Sequence, residues 1–335
     1  MLEPDFTVTE ATRAHRLCVA PMMDWTDRHC RYFLRQVSSS AFLYSEMITT
    51  GALLHGDVDR HLAFSTEEHP LAAQLGGSEP ADLAQCAKLV EQYGYDEVNL
   101  NIGCPSERVQ RGAFGACLMA EPDLVADCVR AMREAVKIPV TVKHRLGINK
   151  EESYDFVANF VEKVAKAGCS TFFAHARNAV LKGLSPKENR EVPPLKYDYV
   201  YRLKQDFPSL EIVINGGISS LLSIEKHLLQ VDGAMLGRAA YHDPWVLADE
   251  GKTRPDVVRA MHAYASRQSS LRHVTRHMLG LYHGHRRARL WRRMLSDAAR
   301  LSQNDPALLL EAMEAVESTS SKENPHERRP QAEPV

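Results

Sequence analysis

The feature that most constrains the fold of this 335-residue chain is an eightfold alternation of short apolar runs with longer amphipathic segments. Short runs rich in β-branched and apolar residues predict strands, and the amphipathic segments between them predict helices. Strands that alternate with helices in this way form a parallel sheet covered by helices. The predicted strands are residues 16–20, 41–45, 71–75, 97–101, 139–143, 171–175, 211–215 and 233–237.

Eight such units close a (β/α)8 barrel, the TIM barrel, and they fit within the roughly 250 residues that this fold usually takes. A doubly wound open sheet is the alternative α/β architecture. It is disfavoured because no GxGxxG turn follows the first predicted strand and because the strand count fits closure. We therefore expect an α/β chain whose first domain is a TIM barrel.

Beyond the last predicted strand the pattern changes to a helical spacing of apolar residues. This change predicts a barrel domain over residues 1–245 and a small helical domain over residues 246–315. The remaining segment, 316–335, is polar and contains proline. Such a composition cannot bury a core, so we expect a disordered tail.

Charge is divided unevenly along the chain. Residues 1–250 hold 26 Lys and Arg against 34 Asp and Glu, whereas residues 251–300 hold 12 Lys and Arg, two acidic residues and five histidines. Clustered basic residues bind phosphate backbones, so the helical domain is expected to bind a polyanion. The alternative is a solvated basic surface that binds nothing.

The chain lacks the sequence features of membrane and secreted proteins. No apolar run approaches the ~18 residues of a membrane span, and the amino terminus lacks the basic and apolar regions of a signal peptide. The seven cysteines are scattered and include no CxxC pair, which argues against a disulfide framework and a zinc site. We expect a cytoplasmic protein that binds no metal.

Polar or glycine-containing segments follow nearly every predicted strand. Active sites of TIM barrels form at the carboxyl ends of the strands, and the loops after the last two strands often bind a phosphate. Glycines there let backbone N–H groups approach the phosphate, although tight turns would also explain them. The strand-end residues are Pro21, Met22, Met23, Gln74, Asn101, Cys104, Lys143, His175, Asn215, Gly216, Gly217, Gly237 and Arg238.

Six further segments occur in order along the chain: APMMDWTDR (20–28), NLNIGCPS (99–106), VTVKHR (140–145), FFAHAR (172–177), INGG (214–217) and MLGR (235–238). Together they resemble the successive signatures of the tRNA-dihydrouridine synthase family. The similarity covers residues 15–245 without an evident gap. GLSPKENREVPPL (183–195), together with the short basic carboxyl-terminal domain, resembles the A-type subfamily.

The resemblance implies a TIM barrel that binds FMN, a helical tRNA-binding domain, and reduction of D-loop uridines with NADPH as the electron donor. The A-type pattern implies uridines 20 and 20a. Pro21, Met22 and Met23 would line the flavin ring. Gln74 would form a hydrogen bond with the pyrimidine edge of the ring, and Lys143 would lie beside its N1 and O2 atoms. The ribityl and phosphate groups would be held by His175, Asn215, Gly216, Gly217, Gly237 and Arg238.

The chemistry of uracil explains why a cysteine suits position 104. The C5=C6 bond is conjugated to the C4 carbonyl, so hydride enters at C6 and a proton must then be supplied at C5. A thiol is protonated at neutral pH and still acidic enough to give up that proton. Cys104 is the expected acid, and Asn101, three residues earlier, is expected to hold the base against it.

A uridine in folded RNA must leave its stack to enter a barrel, so we expect phosphate contacts outside the cavity. Such contacts would explain the basic residues of the helical domain. Separately, we expect the protein to be a monomer. The candidate tRNA-binding residues are Arg177, Lys187 and Arg190 near the loop after the sixth strand, and Arg286, Arg287, Arg289, Arg292, Arg293 and Arg300 in the helical domain.

Two other functions fit parts of the pattern. A flavin barrel that reduces a small pyrimidine would share the barrel but would leave the basic domain unexplained. A non-catalytic RNA-binding protein would have no use for Cys104 and Lys143.

Overall fold

A computed structural model of the chain describes residues 14–318. Eight parallel strands pair in chain order and close into a barrel, because β1 pairs with both β2 and β8. The predicted TIM barrel is confirmed, and the open sheet is wrong. The strands are β1 (Leu17–Val19), β2 (Phe42–Thr49), β3 (Leu71–Gly76), β4 (Glu97–Ile102), β5 (Val140–His144), β6 (Thr171–His175), β7 (Glu211–Asn215) and β8 (Gly233–Leu236).

Helices connect the strands. Several begin at recognisable signals, such as the proline in the first turn of the helices that start at Pro80 and Pro122. Short 3-10 turns occupy Thr66–Glu68, Gly115–Ala120, Glu188–Arg190 and Pro244–Leu247. The helices up to the end of the barrel are α1 (Arg28–Val37), α2 (Thr50–His55), α3 (Val58–Leu62), α4 (Pro80–Gln92), α5 (Glu107–Arg111), α6 (Pro122–Ala135), α7 (Tyr154–Lys166), α8 (Tyr197–Asp206), α9 (Leu221–Leu228) and α10 (Arg238–His242).

The barrel interior contains a buried apolar cluster, and polar side chains lie beside it from Glu97 and Thr141 to the carboxyl ends of the strands. Side chains alternate between the two faces of a strand, so every second residue points inwards. The middle is filled by a buried cluster that includes Phe42, Tyr44, Phe173, Val213 and Met235. The next inward positions along several of these strands are polar, so the same strands that build the core also carry the candidate site.

The second strand is longer than its sequence predicts. It was expected to end at residue 45, yet it continues to Thr49, and its pairing with β3 shifts register between Tyr44 and Met47. A shift of this kind inserts a residue and re-aims the side chains beyond it. Glu46 is thereby placed on the wall of the cavity at the carboxyl ends of the strands.

The chain divides into two compact units between Asp249 and Glu250, four residues after the predicted boundary. The second unit is helical through residue 317, so positions 316 and 317 of the predicted tail belong to its last helix, and residues 319–335 lie outside the described part. Within residues 14–318, no helix has the length and apolar character that a membrane span requires. The helices of this unit are α11 (Arg254–Ala265), α12 (Leu271–Met278), α13 (Ala288–Leu295), α14 (Ala298–Ser302) and α15 (Ala307–Glu317).

The core of the helical unit is built around Trp291. This side chain is fully buried, its ring centroid lies 4.8 Å from that of Tyr282, and its Nε1 donates to Met278 O at 2.8 Å. The Tyr282 hydroxyl in turn donates to Glu317 Oε1 at 2.8 Å. Helices α12, α13 and α15 are thus joined to one another by the contacts of two aromatic residues.

Candidate active site

A cavity of about 1360 Å³ opens at the carboxyl ends of the barrel strands. Its walls come from the loops that follow the strands, as in other TIM barrels. The structure brings together here Pro21, Met22, Met23, Gln74, Asn101, Cys104, Lys143, His175, Arg190, Asn215, Gly216, Gly217, Gly237 and Arg238, all of which the sequence had suggested.

Lys143 supplies a buried ammonium group at the end of β5. Its Nζ donates to Asn215 Oδ1 at 3.1 Å, and Asn215 Nδ2 donates to Met235 O at 2.7 Å. Burial, reinforced by the nearby Arg145 guanidinium, lowers the pKa of Lys143 from 10.5 to about 7. Within residues 14–318 no carboxylate forms an ion pair with this lysine. An anion bound in the cavity would therefore restore its charge.

His175 ends β6 on the same cavity wall. Burial, together with the positive charges of Arg145 and Lys143, holds the pKa of His175 well below its ordinary value. The ring is consequently neutral at physiological pH. A neutral imidazole can both donate and accept a hydrogen bond, which suits a hydroxyl-bearing ligand.

Cys104 lies in a loop that is held by side-chain to backbone hydrogen bonds. Asn101 Oδ1 accepts from the backbone N–H groups of Gly103 at 3.0 Å and of Cys104 at 2.9 Å, and the Cys104 carbonyl accepts from Ala116 N at 2.9 Å. The thiol is half-exposed and its Sγ lies 3.5 Å from Ser106 Oγ. The loop thus fixes a reachable thiol on the cavity wall.

The loops after β7 and β8 contain the glycines expected to face a phosphate. Gly216 and Gly217 have φ angles of 112° and 73°, which favour glycine, and a Cβ at Gly216 would lie 2.8 Å from His175 Cδ2. Gly237 immediately precedes α10. Arg238 also lines the cavity and forms an ion pair at 2.5 Å with Glu191 of the loop after β6.

Within the barrel unit, two of the predicted tRNA-binding residues do not line the cavity. Lys187 is exposed at the start of the 3-10 turn Glu188–Arg190. The Arg177 guanidinium donates to the carbonyls of Glu191 and Pro193, so it helps to shape the loop after β6. Binding of tRNA by either residue stays a prediction.

Arg145 is a site residue that sequence reasoning missed. It lines the cavity, donates from Nε to Gly103 O at 3.3 Å, and donates from Nη1 to Asn189 O at 2.8 Å. One guanidinium therefore ties the Cys104 loop to the loop after β6. Its position two residues after Lys143 was a usable signal. Ser106 and Glu46 were missed as well, because their placement depends on loop geometry and on the register shift in β2.

The candidate arginines of the helical unit divide into two groups. Arg289, Arg292 and Arg293 are exposed on α13, and their spacing of three and four residues places them on one face of the helix. Arg286 is exposed just before that helix. By contrast, Arg287 donates to Ala315 O at 2.6 Å and Arg300 forms an ion pair with Glu311, so both hold the unit together.

Comparison with known proteins identifies the family to which this fold and site belong. The chain matches the family model for dihydrouridine synthase over residues 18–319. The chain belongs to the dihydrouridine synthase family. The predicted family is thereby confirmed.

Individual relatives are similar along nearly their whole length. A tRNA-dihydrouridine(20/20a) synthase of Salmonella typhi is 54% identical over 330 residues, which cover 94% of this chain and 99% of the relative. The synthase of the same name from Escherichia coli K12 is 55% identical over 325 residues, covering 92% and 94%. The one from Pseudomonas putida is 54% identical over 328 residues, covering 94% and 97%.

Among solved structures, a complex of 2-naphthoyl-CoA reductase with 2-naphthoyl-CoA aligns with a TM-score of 0.54 and 11% sequence identity. The alignment covers 69% of this dihydrouridine synthase and 49% of the reductase chain. A likeness at this level of identity shows a shared fold and nothing about the ligand.

Proposed function

We propose that this dihydrouridine synthase reduces D-loop uridines of tRNA in the barrel cavity, with FMN as the bound cofactor and Cys104 as the proton donor. The reaction class follows from family membership: the protein is an oxidoreductase that converts uridine in tRNA to 5,6-dihydrouridine. The finer assignment rests on one observation. Lys143, which lacks an anionic partner among the described residues, and the reachable thiol of Cys104 line the same cavity.

The residues present fit a flavin mononucleotide. Lys143 would stand beside the part of the ring where negative charge develops on reduction, and a fixed ammonium stabilises that charge. Pro21, Met22 and Met23 offer an apolar surface for the ring. Gln74 would bind the pyrimidine edge of the ring. At the other end of the cofactor, the ribityl and phosphate groups would be held by His175, Asn215, Gly216, Gly217, Gly237 and Arg238.

The chain's own residues carry out the proton chemistry. Bound FMN would supply the hydride that adds to C6 of the uracil ring. Because C5 is conjugated with the C4 carbonyl, the electron pair displaced from the C5=C6 bond is shared by C5 and O4. The Cys104 thiol gives its proton to C5, which completes the reduction. The thiolate then regains a proton from solvent, because the side chain is half-exposed.

Anaerobic reoxidation of the NADPH-reduced protein tests this proposal. We expect unmodified tRNA to restore the flavin absorbance, dihydrouridine to appear in the product, and Cys104→Ala to abolish turnover. Cys117→Ala, which removes the other half-exposed thiol, is the matched control and should leave turnover unchanged. If only free pyrimidines reoxidise the flavin, the tRNA assignment is wrong. A purified protein that neither contains nor binds FMN would remove the cofactor assignment.

The exposed arginines of α13 are the proposed phosphate contacts of the helical domain. Each phosphate contact contributes ~0.7–0.9 to the slope of log affinity against log salt concentration. Replacing Arg289, Arg292 and Arg293 by Gln should therefore weaken tRNA binding and reduce that slope by about 2 to 3. A control that removes the same charge from the outside of the barrel, R130Q/K166Q/R202Q, should leave the slope unchanged. Equal slopes for both triple variants would refute the assignment.

The remaining assignments have direct measurements. NADPH as electron donor is tested by comparing flavin reduction rates with NADPH and NADH. Uridines 20 and 20a as targets are tested by mapping dihydrouridine in tRNA from a deletion strain with and without this protein. Light scattering after size exclusion tests the monomer, and cell fractionation tests the cytoplasmic location. Lys187, Arg177 and Arg190 are proposed to contact the tRNA beside the cavity, and single glutamine variants would measure their contributions.

A further inference from the structure

A chain of buried side chains links the closed end of the barrel to the Cys104 loop. We name it the interior chain, and its members are Glu97, Thr141, Asn99, Gln74 and Asn101. Only Gln74 and Asn101 line the cavity, and the first four members are at most 1% exposed. The order of hydrogen bonds is Thr141 Oγ1 to Glu97 Oε1 at 2.6 Å, Asn99 Nδ2 to Thr141 Oγ1 at 2.8 Å, Gln74 Nε2 to Asn99 Oδ1 at 2.8 Å, and Asn101 Nδ2 to Gln74 Oε1 at 2.8 Å.

Glu97 sets the direction of this chain because its Oε1 accepts from the hydroxyl of Thr141. Its Oε2 faces His15 Nε2 at 2.8 Å, while His15 Nδ1 faces Glu211 Oε2 at 2.9 Å. Although burial opposes the charge, hydrogen bonds to these two carboxylates raise the pKa of His15 to about 10. His15 therefore donates to both carboxylates. The hydroxyl of Tyr44 donates to Glu97 Oε1 as well, at 2.8 Å.

A threonine hydroxyl has a single proton. Thr141 gives this proton to Glu97, so it can only accept from Asn99. The Asn99 oxygen must then face Gln74, and the Gln74 oxygen must face Asn101. At the other end, the Asn101 oxygen is required by the N–H groups of Gly103 and Cys104. Both ends impose the same direction, so neither cavity-lining amide can flip without breaking its hydrogen bonds to neighbouring residues.

The fixed direction determines what the two amides offer to a ligand. Gln74 Nε2 and Asn101 Nδ2 each use one N–H within the chain and keep a second. The Asn101 oxygen is committed to the backbone, and the Gln74 oxygen to Asn101. The cavity side of both amides therefore presents N–H donors, which suit carbonyl oxygens such as those of uracil and of the flavin pyrimidine ring.

We propose that Thr141 and Glu97 are positioning residues for the reaction, which orient the Gln74 and Asn101 amides as donors towards the cofactor and the base. This inference rests on the proposed function. Neither residue lines the cavity, so both act through the amides. Loss of the Thr141 hydroxyl would leave the Asn99 amide group without its acceptor. The donor and acceptor directions along the interior chain could then reverse.

Thr141→Val and Thr141→Ser test the inference as a matched pair. Valine keeps the shape of threonine and removes the hydroxyl, whereas serine keeps the hydroxyl. Titration of the flavin-free full chain with FMN should give a dissociation constant about tenfold higher for T141V, which corresponds to one lost hydrogen bond of about 1.4 kcal/mol. T141S should lie within about twofold of the wild type. The tRNA-dependent turnover should follow the same order.

Each outcome has a distinct meaning. Equal affinity in T141V and the wild type would overturn the inference, and so would equal losses in T141V and T141S, because the effect would then come from packing. A wild-type protein that fails to bind FMN or to reduce tRNA would overturn the proposed function instead. If T141V does not fold, hydrogen exchange of the side-chain amides in the wild type tests the hydrogen bonds of the interior chain. Slow exchange at Asn99 and Gln74 is expected. Exchange as fast as at the exposed Gln85 would refute the inference.

Discussion

Replacing Lys143 with methionine should stabilise the cofactor-free protein, and the gain should depend on pH. The ammonium group is buried at the cavity wall, where desolvation and the charge of Arg145 lower its pKa from 10.5 to about 7. At about 1.4 kcal/mol per pKa unit, this difference corresponds to about 5 kcal/mol. Methionine has a similar length and carries no charge to desolvate, so K143M avoids this penalty.

The sign of the pH dependence follows from proton linkage. Between pH 7 and pH 10.5 the unfolded chain keeps the Lys143 proton and the folded protein does not, so the wild type gains stability as the pH rises. The penalty is fully present below pH 7 and disappears above pH 10.5. The stability advantage of K143M should therefore fall from about 5 kcal/mol near pH 6 to about 1 kcal/mol at pH 10.

Urea unfolding of flavin-free wild type and K143M, followed by circular dichroism at pH 6 to 10, measures this difference. Lys88→Met replaces an exposed lysine on α4 and should show no such pH dependence. In 13C-labelled lysine spectra, the resonance lost in K143M should titrate near pH 7. A K143M advantage that does not change with pH, or a Lys143 resonance that titrates near pH 10, would refute the reasoning.

Three further predictions concern a glycine with positive φ, an aromatic core residue and a buried ion pair. Gly216→Ala should weaken FMN binding because its Cβ would lie 2.8 Å from His175 Cδ2. Gly183 has a φ of 91° and open space around it, so Gly183→Ala should retain affinity. Equal losses in the two variants would show that backbone strain, and not the contact with His175, is the cause. Trp291→Ala should destabilise the helical unit by about 3–5 kcal/mol, and hydrogen exchange that stays unchanged in residues 250–318 would contradict this. Arg31 Nε forms an ion pair at 2.7 Å with the fully buried Glu68. Arg31→Met would leave the Glu68 carboxylate buried without this partner, so the free energy of unfolding in urea should fall by about 3–5 kcal/mol. The double variant R31M/E68M should recover most of that loss, and no recovery would argue against an unpaired charge as the cause.

The fold and much of the cavity lining could be predicted because they depend on local pattern. Each strand is a short apolar run with turn signals beside it, and the fold places all strand ends at one rim. Gln74, Lys143 and His175 therefore lie together, as predicted.

What could not be predicted depends on contacts between distant residues. The interior chain joins Glu97 to Thr141 and Gln74 to Asn99 across neighbouring strands, and no spacing along the chain reveals those hydrogen bonds. The register shift that brings Glu46 to the cavity is likewise a property of strand pairing. In the helical unit, the sequence alone predicted the same phosphate-binding role for all six candidate arginines. Only the helix ends and their packing separate the exposed Arg292 from Arg287, which caps a carbonyl of α15.

The distribution of cysteines should allow selective labelling of one thiol in the native protein. Five of the seven thiols are buried in the barrel unit, and burial also raises the pKa of the half-exposed Cys117. Alkylating reagents attack the thiolate, so the buried sulfurs and Cys117 react slowly. Carbamidomethylation of the folded protein therefore concentrates on Cys104, and a single mass increment reports on access to the cavity. Protection of that one sulfur by an added ligand would measure occupancy of the site without following catalysis.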